Sequence, residues 1–434
     1  MKTTLSVLFA AGAIVVASAT TPLPMPDSHQ AGSQHYAYPY RIAEPPAQTP
    51  APSGYEAFHM EHYGRHGSRW HNQAHEYSDA ADIMSKAKAN GKLTPLGEKV
   101  YSYVDDINRK SQGRLGDLTD IGALEHQDIG RRMVKNYPTI FAPGTHVDAK
   151  SSVVVRCIIS MLNELKEIQA GQPEITITSD ASWAEMPYMV PGWTPAAAAL
   201  KADVDKNQMA QWRQTNASRG AFTSRLFNDS SYVADSVNVV LLGERLFWVL
   251  EGAQNHLGHP WLVDEVFTPE ELQRQWSIMN GFWHIESGLH DMTKRMSPYQ
   301  RASTLKNFIE SADTAMVSPR ISANMRFGHD GIVYPLAILM ELNGLWQQID
   351  DFNDLAGRQH DYLTIPMACN IQMVFYRPTG TEPNPDNVLV KVLLNENEVT
   401  LPVEPSQAGF PYYPWPAVRQ FYLDKLANAP EGAI

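Results

Sequence analysis

Cysteine is nearly missing from this sequence: 434 residues carry two, Cys157 and Cys369. A fold stapled by several disulfides is thereby excluded, and neither a Cys-x-x-Cys pair nor the His-rich spacing of a metal site occurs. One disulfide between the two is open in an oxidising compartment. Both lie among apolar residues, however, and two buried free thiols are the expectation. Positive charge is also short, with 35 Lys and Arg against 47 Asp and Glu, a formal −12. That balance argues against a nucleic-acid partner, although a few local arginines can still set the field of a cleft for a small anion. No apolar run reaches the length of about 18 residues that a membrane-spanning helix needs. No internal repeat is visible.

What is present begins with Lys2, an apolar run from Leu5 to Val16, and Ala17-Ser18-Ala19. This is the pattern of a secretory leader over residues 1–19, cut after Ala19, which predicts a periplasmic or secreted protein with no integral membrane segment after cleavage. Loss of Lys2 takes the net charge from −12 to −13. No cysteine lies near the cut, which argues against a lipid anchor. Residues 20–53, rich in Pro, Ala and Thr with Tyr36, Tyr38 and Tyr40 among them, read as an extended arm. The full sequence is 43% hydrophobic, enough for a full core.

From 54 to 181 strand-like runs (55–63, 151–155, 174–178) alternate with helical ones (76–89, 94–108, 119–135). Strand signals fade between 182 and 316. Thr194-Pro195 and Thr268-Pro269-Glu270-Glu271 mark helix starts there, the second with a capping box. Strand signals return at 321–327, 370–376, 388–394 and 398–401. The expectation is an α/β fold, a central mostly parallel sheet flanked by helices, built from 54–181 and 317–434, with 182–316 inserted as an α-helical cap.

The densest chemistry is Arg65-His66-Gly67-Ser68-Arg69, where a strand gives way to a loop. Two guanidiniums can fork onto the oxygens of a phosphate ester and neutralise the charge that repels a nucleophile. An imidazole between them is held neutral by the same cations and can attack. Gly67 is expected to let the backbone pass close to the substrate. Two later segments supply further parts. Ser151 to Ser160 reads as a β-branched strand delivering Arg156 at its carboxyl end. Arg320 to Phe327 reads as a strand running into Gly328-His329-Asp330-Gly331, followed by a helix with Pro335 in its first turn. Carboxyl ends of parallel strands line the ligand crevice in such sheets, so the three junctions can converge.

In this order the motifs resemble those of histidine-type phosphatases, in the acid phosphatase and phytase branch. That family has Arg-His-Gly-x-Arg, a later arginine, and a late His-Asp or His-Ala-Glu pair. The matches are Arg65, His66, Gly67, Arg69, Arg156, His329 and Asp330. The segment around Leu118-Thr119-Asp120 extends the similarity, and those around Ile365-Pro366-Met367 and Val390 to Glu396 are most similar to bacterial secreted proteins related to multiple inositol polyphosphate phosphatases. The resemblance implies a phosphoglycerate-mutase-like sheet, a metal-independent reaction without cofactor, and an anionic small-molecule phosphate ester as partner. It implies His66 as nucleophile, Arg65, Arg69, Arg156 and His329 as phosphate ligands, and Asp330 as general acid. Inositol polyphosphates such as phytate are the implied substrates, with sugar phosphates and other small monoesters as the alternative. Two positions depart from the pattern: Trp70-His71 follow Arg69 where many members carry proline, and His329-Asp330 replaces the His-Ala-Glu usual in the inositol polyphosphate group.

Other readings compete at several positions. Asp330 is equally suited to cap the helix after it. His59, His62, His71, His75 and Cys157 invite a zinc reading, but their spacing fits no zinc pattern and the arginines would repel a cation. Lys86, Lys88, Lys92, Arg131, Arg132 and Lys135 could reach further phosphates or simply face solvent.

Overall fold

The computed structural model describes residues 25–41, 43–318 and 320–434, so the expected leader lies outside the described residues. Eight strands form one sheet: β1 (Tyr55–Arg65), β2 (His146–Ser151), β3 (Thr176–Asp180), β4 (Ala323–Gly328), β5 (Asn370–Pro378), β6 (Leu389–Leu394), β7 (Asn397–Glu398) and β8 (Tyr413–Pro414). Their order is β3-β2-β4-β1-β5-β6-β7, with β8 beside β6. The half running from β3 to β1 is parallel, and from β5 onward the pairing is antiparallel. The chain is thus α/β with a mixed sheet whose parallel half leads to the site. The strand expected over 398–401 contributes only Asn397 and Glu398.

Ten longer helices surround the sheet or fill the segment between β3 and β4. They are α1 (His75–Ala89), α2 (Pro95–Lys110), α3 (Asp120–Asn136), α4 (Val155–Gly171), α5 (Pro195–Val204), α6 (Val239–Glu251), α7 (Pro269–Ser287), α8 (Ala302–Val317), α9 (Asp330–Leu339) and α10 (Trp415–Ala427). Local chemistry explains the starts. Thr94, Thr119 and Thr194 each accept a hydrogen bond from a first-turn amide, and Thr268 with Glu271 closes the capping box before α7. One apolar core packs α8, α9 and α10 against one face of the sheet, and another packs α3 and α4 against the opposite face. A third core lies among α1, α2, α6 and α7. No helix among the described residues is long and apolar enough to cross a membrane.

Two junctions differ from the sequence expectation. The strand read over Ser151–Ser160 stops at Ser151, and Arg156 lies in the first turn of α4. Cys157, Met161, Leu165 and Ile168 recur at helical spacing and bury one face, which overrides the β-propensity of the valines. The helix after His329 begins at Asp330, so Pro335 lies beyond its first turn, inside the helix. A proline there leaves the carbonyl four residues back without its helical donor. That carbonyl, Gly331 O, accepts from Arg301 Nε at 2.7 Å instead.

The first described part of the Pro-rich arm, up to Arg41, is a packed strap, and residues 43–53 are mostly exposed. Ala31, Ser33, His35 and Tyr38 are buried. The Tyr38 amide donates to Glu125, the Tyr38 hydroxyl to Glu396, and the Met367 amide to the Tyr36 carbonyl. These long-range bonds order a segment that has no periodicity of its own.

Candidate active site

The site is built at the carboxyl ends of β1, β4 and β2. Register places Arg65 opposite Gly328, and Ser151 opposite Phe327. Past the strand ends, the His66 amide still donates to Gly328 O at 3.0 Å and the Ser152 amide to Phe327 O at 2.9 Å. The three junctions expected from the sequence therefore meet.

The loop after β1 is clamped by α3. A Cβ on Gly67 would sit 2.4 Å from Gly122 O, and one on Gly122 would sit 2.3 Å from Ser68 O. Gly67 is therefore required by the approach of the α3 backbone, which corrects the expectation that it clears a path for substrate. The Glu125 carboxylate accepts from the Ser68 amide (2.7 Å), the Ser68 hydroxyl (2.8 Å) and the Tyr38 amide (3.0 Å). From behind, His126 bonds the Arg65 carbonyl at 3.1 Å and Glu164 at 2.7 Å.

His66 is 2% exposed, and its Nδ1 lies 2.9 Å from Gly67 O. A carbonyl can only accept, so Nδ1 carries the proton and Nε2 keeps its lone pair. Burial, and then Arg65, Arg156 and Arg69, hold the His66 pKa well below the usual histidine value. His329 has its ring centre 5.7 Å from that of His66. Burial and Arg156 push it down to about 4, against an opposing pull from Asp330.

Arg65 is fully buried and Arg69 is 7% exposed. Arg65 Nη1 donates to Gln34 O (2.8 Å) and Ile365 O (2.9 Å), and Nη2 pairs with Asp330 Oδ2 at 2.7 Å. Arg69 Nη1 donates to Trp70 O at 2.9 Å. The Nε groups of Arg65, Arg69 and Arg156 are buried with no hydrogen-bond partner among the described residues. Burial lowers Arg69 to about 10, with Arg65 adding to the effect. Asp330 is the first residue of α9 and accepts from the Gly331 amide at 2.8 Å. Burial raises its pKa, but Arg65 and Arg69 outweigh that and hold it below the usual value.

His66, Arg69, Arg156, His329 and Asp330 line one cavity of about 840 Å³. Arg65 is not among its lining residues in the free site, where its Nη2 is paired with the lining carboxylate of Asp330. Motif reading missed the far walls: Gln34 of the strap, Trp248 of α6, and Gln275, Met279, Phe282 and Trp283 of α7. The spacing of Gln275, Met279 and Phe282 put them on one helical face, the one signal available. The lysines and arginines suggested for further phosphates do not line the cavity. Lys88 pairs with Glu98, Lys92 with Asp229, Arg131 with Asp128 and Arg132 with Glu396. The histidines of the zinc reading are dispersed: His59 bonds Ile321 O and Glu61, and His71 lies 3.2 Å from Trp248 O. Cys157 and Cys369 are buried free thiols.

No family model and no curated protein matches the chain. Solved structures do. The multiple inositol polyphosphate phosphatase of Bifidobacterium longum matches with a TM-score of 0.67 at 17% identity, over 90% of this chain and 96% of that one. This is the fold of inositol polyphosphate phosphatases and phytases. The phytase of D. castellii shares it with a TM-score of 0.69 at 13% identity, over 94% of this chain and 87% of that one. The Hafnia alvei phytase shares it more loosely, with a TM-score of 0.52 at 13% identity over 88% and 99%. The Bifidobacterium protein has also been solved in complex with inositol hexasulfate.

Proposed function

We propose that the chain is an exported phosphomonoesterase working through a phosphohistidine, with esters of the inositol phosphate class as substrates. One observation carries this reading: around a neutral histidine the buried Arg65 and Arg69 and the half-buried Arg156 each keep a buried Nε–H without a partner among the described residues. Buried cations with unused donors call for an anion with several acceptor oxygens.

His66 Nε2 attacks phosphorus in line while Arg65, Arg69, Arg156 and His329 hold the phosphoryl oxygens. The P–N bond forms as the ester P–O bond breaks, and the leaving oxygen takes a proton from Asp330. Nδ1–H, on Gly67 O, stabilises the cationic ring. Water then attacks the phosphohistidine and gives its proton to the Asp330 carboxylate, releasing inorganic phosphate. In the free site Asp330 is ionised and paired with Arg65. An incoming phosphate competes for that guanidinium and raises the carboxyl pKa by its own charge, so turnover belongs at acid pH.

In this reading 54–181 and 317–434 form the catalytic unit, and 182–316 is the cap that closes the cavity. Export rests on the leader pattern at 1–19. A wider range of sugar phosphates is the second reading, favoured by the amide and aromatic lining of the outer cavity.

Rapid acid quench with labelled substrate tests the mechanism. Label is expected on His66, and His66→Ala is expected to be folded and inactive. Label on another residue, or near-native activity of His66→Ala, would refute it.

A further inference from the structure

Beyond the reacting groups, the cavity changes character. Val240 and Trp248 on α6 and Ile278, Met279, Phe282 and Trp283 on α7 make an apolar wall. Amides from Gln34, Asn72, Gln214 and Gln275 stand among them. Gln275 is buried apart from the face it turns to the cavity. One further cation lines the cavity, Arg213, which is exposed and has no ion pair among the described residues. A carboxylate, Glu244, is there too, with Arg245 2.7 Å away.

A phosphate monoester carries about −1.5 to −2 charges near neutral pH and three strong acceptors. Each one brought against this wall needs a cation or donors in place of its water, and an apolar surface supplies neither. The reacting end satisfies one phosphate, and Arg213 can satisfy one more. Neutral hydroxyls fit the rest of the wall, since amides donate to and accept from them and aromatic rings cover the C–H faces of a polyol.

We infer that the preferred substrate is a sparsely phosphorylated polyol, with one phosphate at His66 and at most one more at Arg213, rather than a fully phosphorylated ring. This rests on the phosphomonoesterase reading and narrows it. Arg213 is then a specificity residue, and the cap discriminates by withholding charge.

The test compares kcat/KM at one acid pH for inositol hexakisphosphate, an inositol bisphosphate, an inositol monophosphate and p-nitrophenyl phosphate. The mono- and bisphosphates are expected to exceed the hexakisphosphate by about tenfold or more. Arg213→Ala should lower the ratio of bisphosphate to monophosphate by about tenfold. Val240 is 49% exposed, and Val240→Lys should raise hexakisphosphate relative to monophosphate. Hexakisphosphate turned over as well as the monophosphate by the wild type, or ratios unmoved in both variants, would overturn the inference while leaving the phosphatase intact. Absence of turnover on every ester, p-nitrophenyl phosphate included, would instead overturn the reading beneath it.

Discussion

Arg65 Nη2 stands 2.7 Å from Asp330 Oδ2, so in the free site the proposed acid is an ion pair with one of the proposed phosphate ligands. One residue ends β1 and the other opens α9, far apart in sequence. The pair links phosphate binding to the protonation of the leaving group. Phosphate cannot take that guanidinium without loosening the carboxylate.

Asp330→Asn should therefore hurt poor leaving groups far more than good ones. Loss of a general acid costs on the order of 10²–10⁴ in rate where the leaving oxygen needs the proton. An inositol alkoxide needs it, and a p-nitrophenolate does not. The ratio of the two kcat/KM losses decides the matter, and equal losses would assign Asp330 to capping α9 or positioning His329.

Gly67→Ala should displace the catalytic loop, because the new Cβ would lie 2.4 Å from a carbonyl of α3. Overpacking of this kind costs about 1–3 kcal/mol. A fall in Tm together with a loss in kcat of more than about tenfold is expected, since small misplacements of the proposed nucleophile, His66, would be costly. Native kinetics in this variant would show that loop and helix have slack.

Much of this arrangement is legible in the chain itself. The long β1 with its Arg-His-Gly end, the alternation leading to His329 and the capped starts of α5 and α7 all follow from local chemistry. Arg156 was assigned to the wrong element because Val153 to Val155 carry a strand propensity that packing of α4 against the sheet outweighs. The strap was opaque for another reason: its order comes from Glu125, Gln254, Met367 and Glu396, none of them local. The outer cavity wall was hidden because a helix face turned to a cavity has the same apolar spacing as one turned to a core.

Hydrolysis of p-nitrophenyl phosphate should survive excess EDTA. Guanidiniums supply the charge that a metal would bring, and no three His, Cys, Asp or Glu among the described residues gather as ligands. Loss of activity on chelation, restored by zinc, would refute this.

Stability should fall as pH drops below about 6.5, the ordinary histidine value. Burial, helped by neighbouring cations, holds His62 and His71 near 3 and His256, His284 and His329 near 4. The unfolded chain takes up those protons first, so each such histidine costs about 1.4 kcal/mol per pH unit from 6.5 down to its folded value. Asp361, raised by burial to about 6, works the other way between there and 3.8, and Glu125 and Glu164 are raised as well. The histidines outnumber them, and a Tm series from pH 7 to 4 should slope downward. A flat series would mean that the acids balance them.

The place of β1 between β4 and β5 has a consequence for the life of the chain before it acts. The strand that ends just before His66 leaves the ribosome early, while its partners begin only at Ala323 and Asn370. Until those residues emerge, a segment that ends up almost wholly buried has no edge to join, and contacts of such long sequence separation form slowly. Translation must pass Pro378 before β1 is flanked on both sides along its whole length. The nascent polypeptide therefore cannot bring the three junctions of the site together until Gly328 and the residues after it have been made.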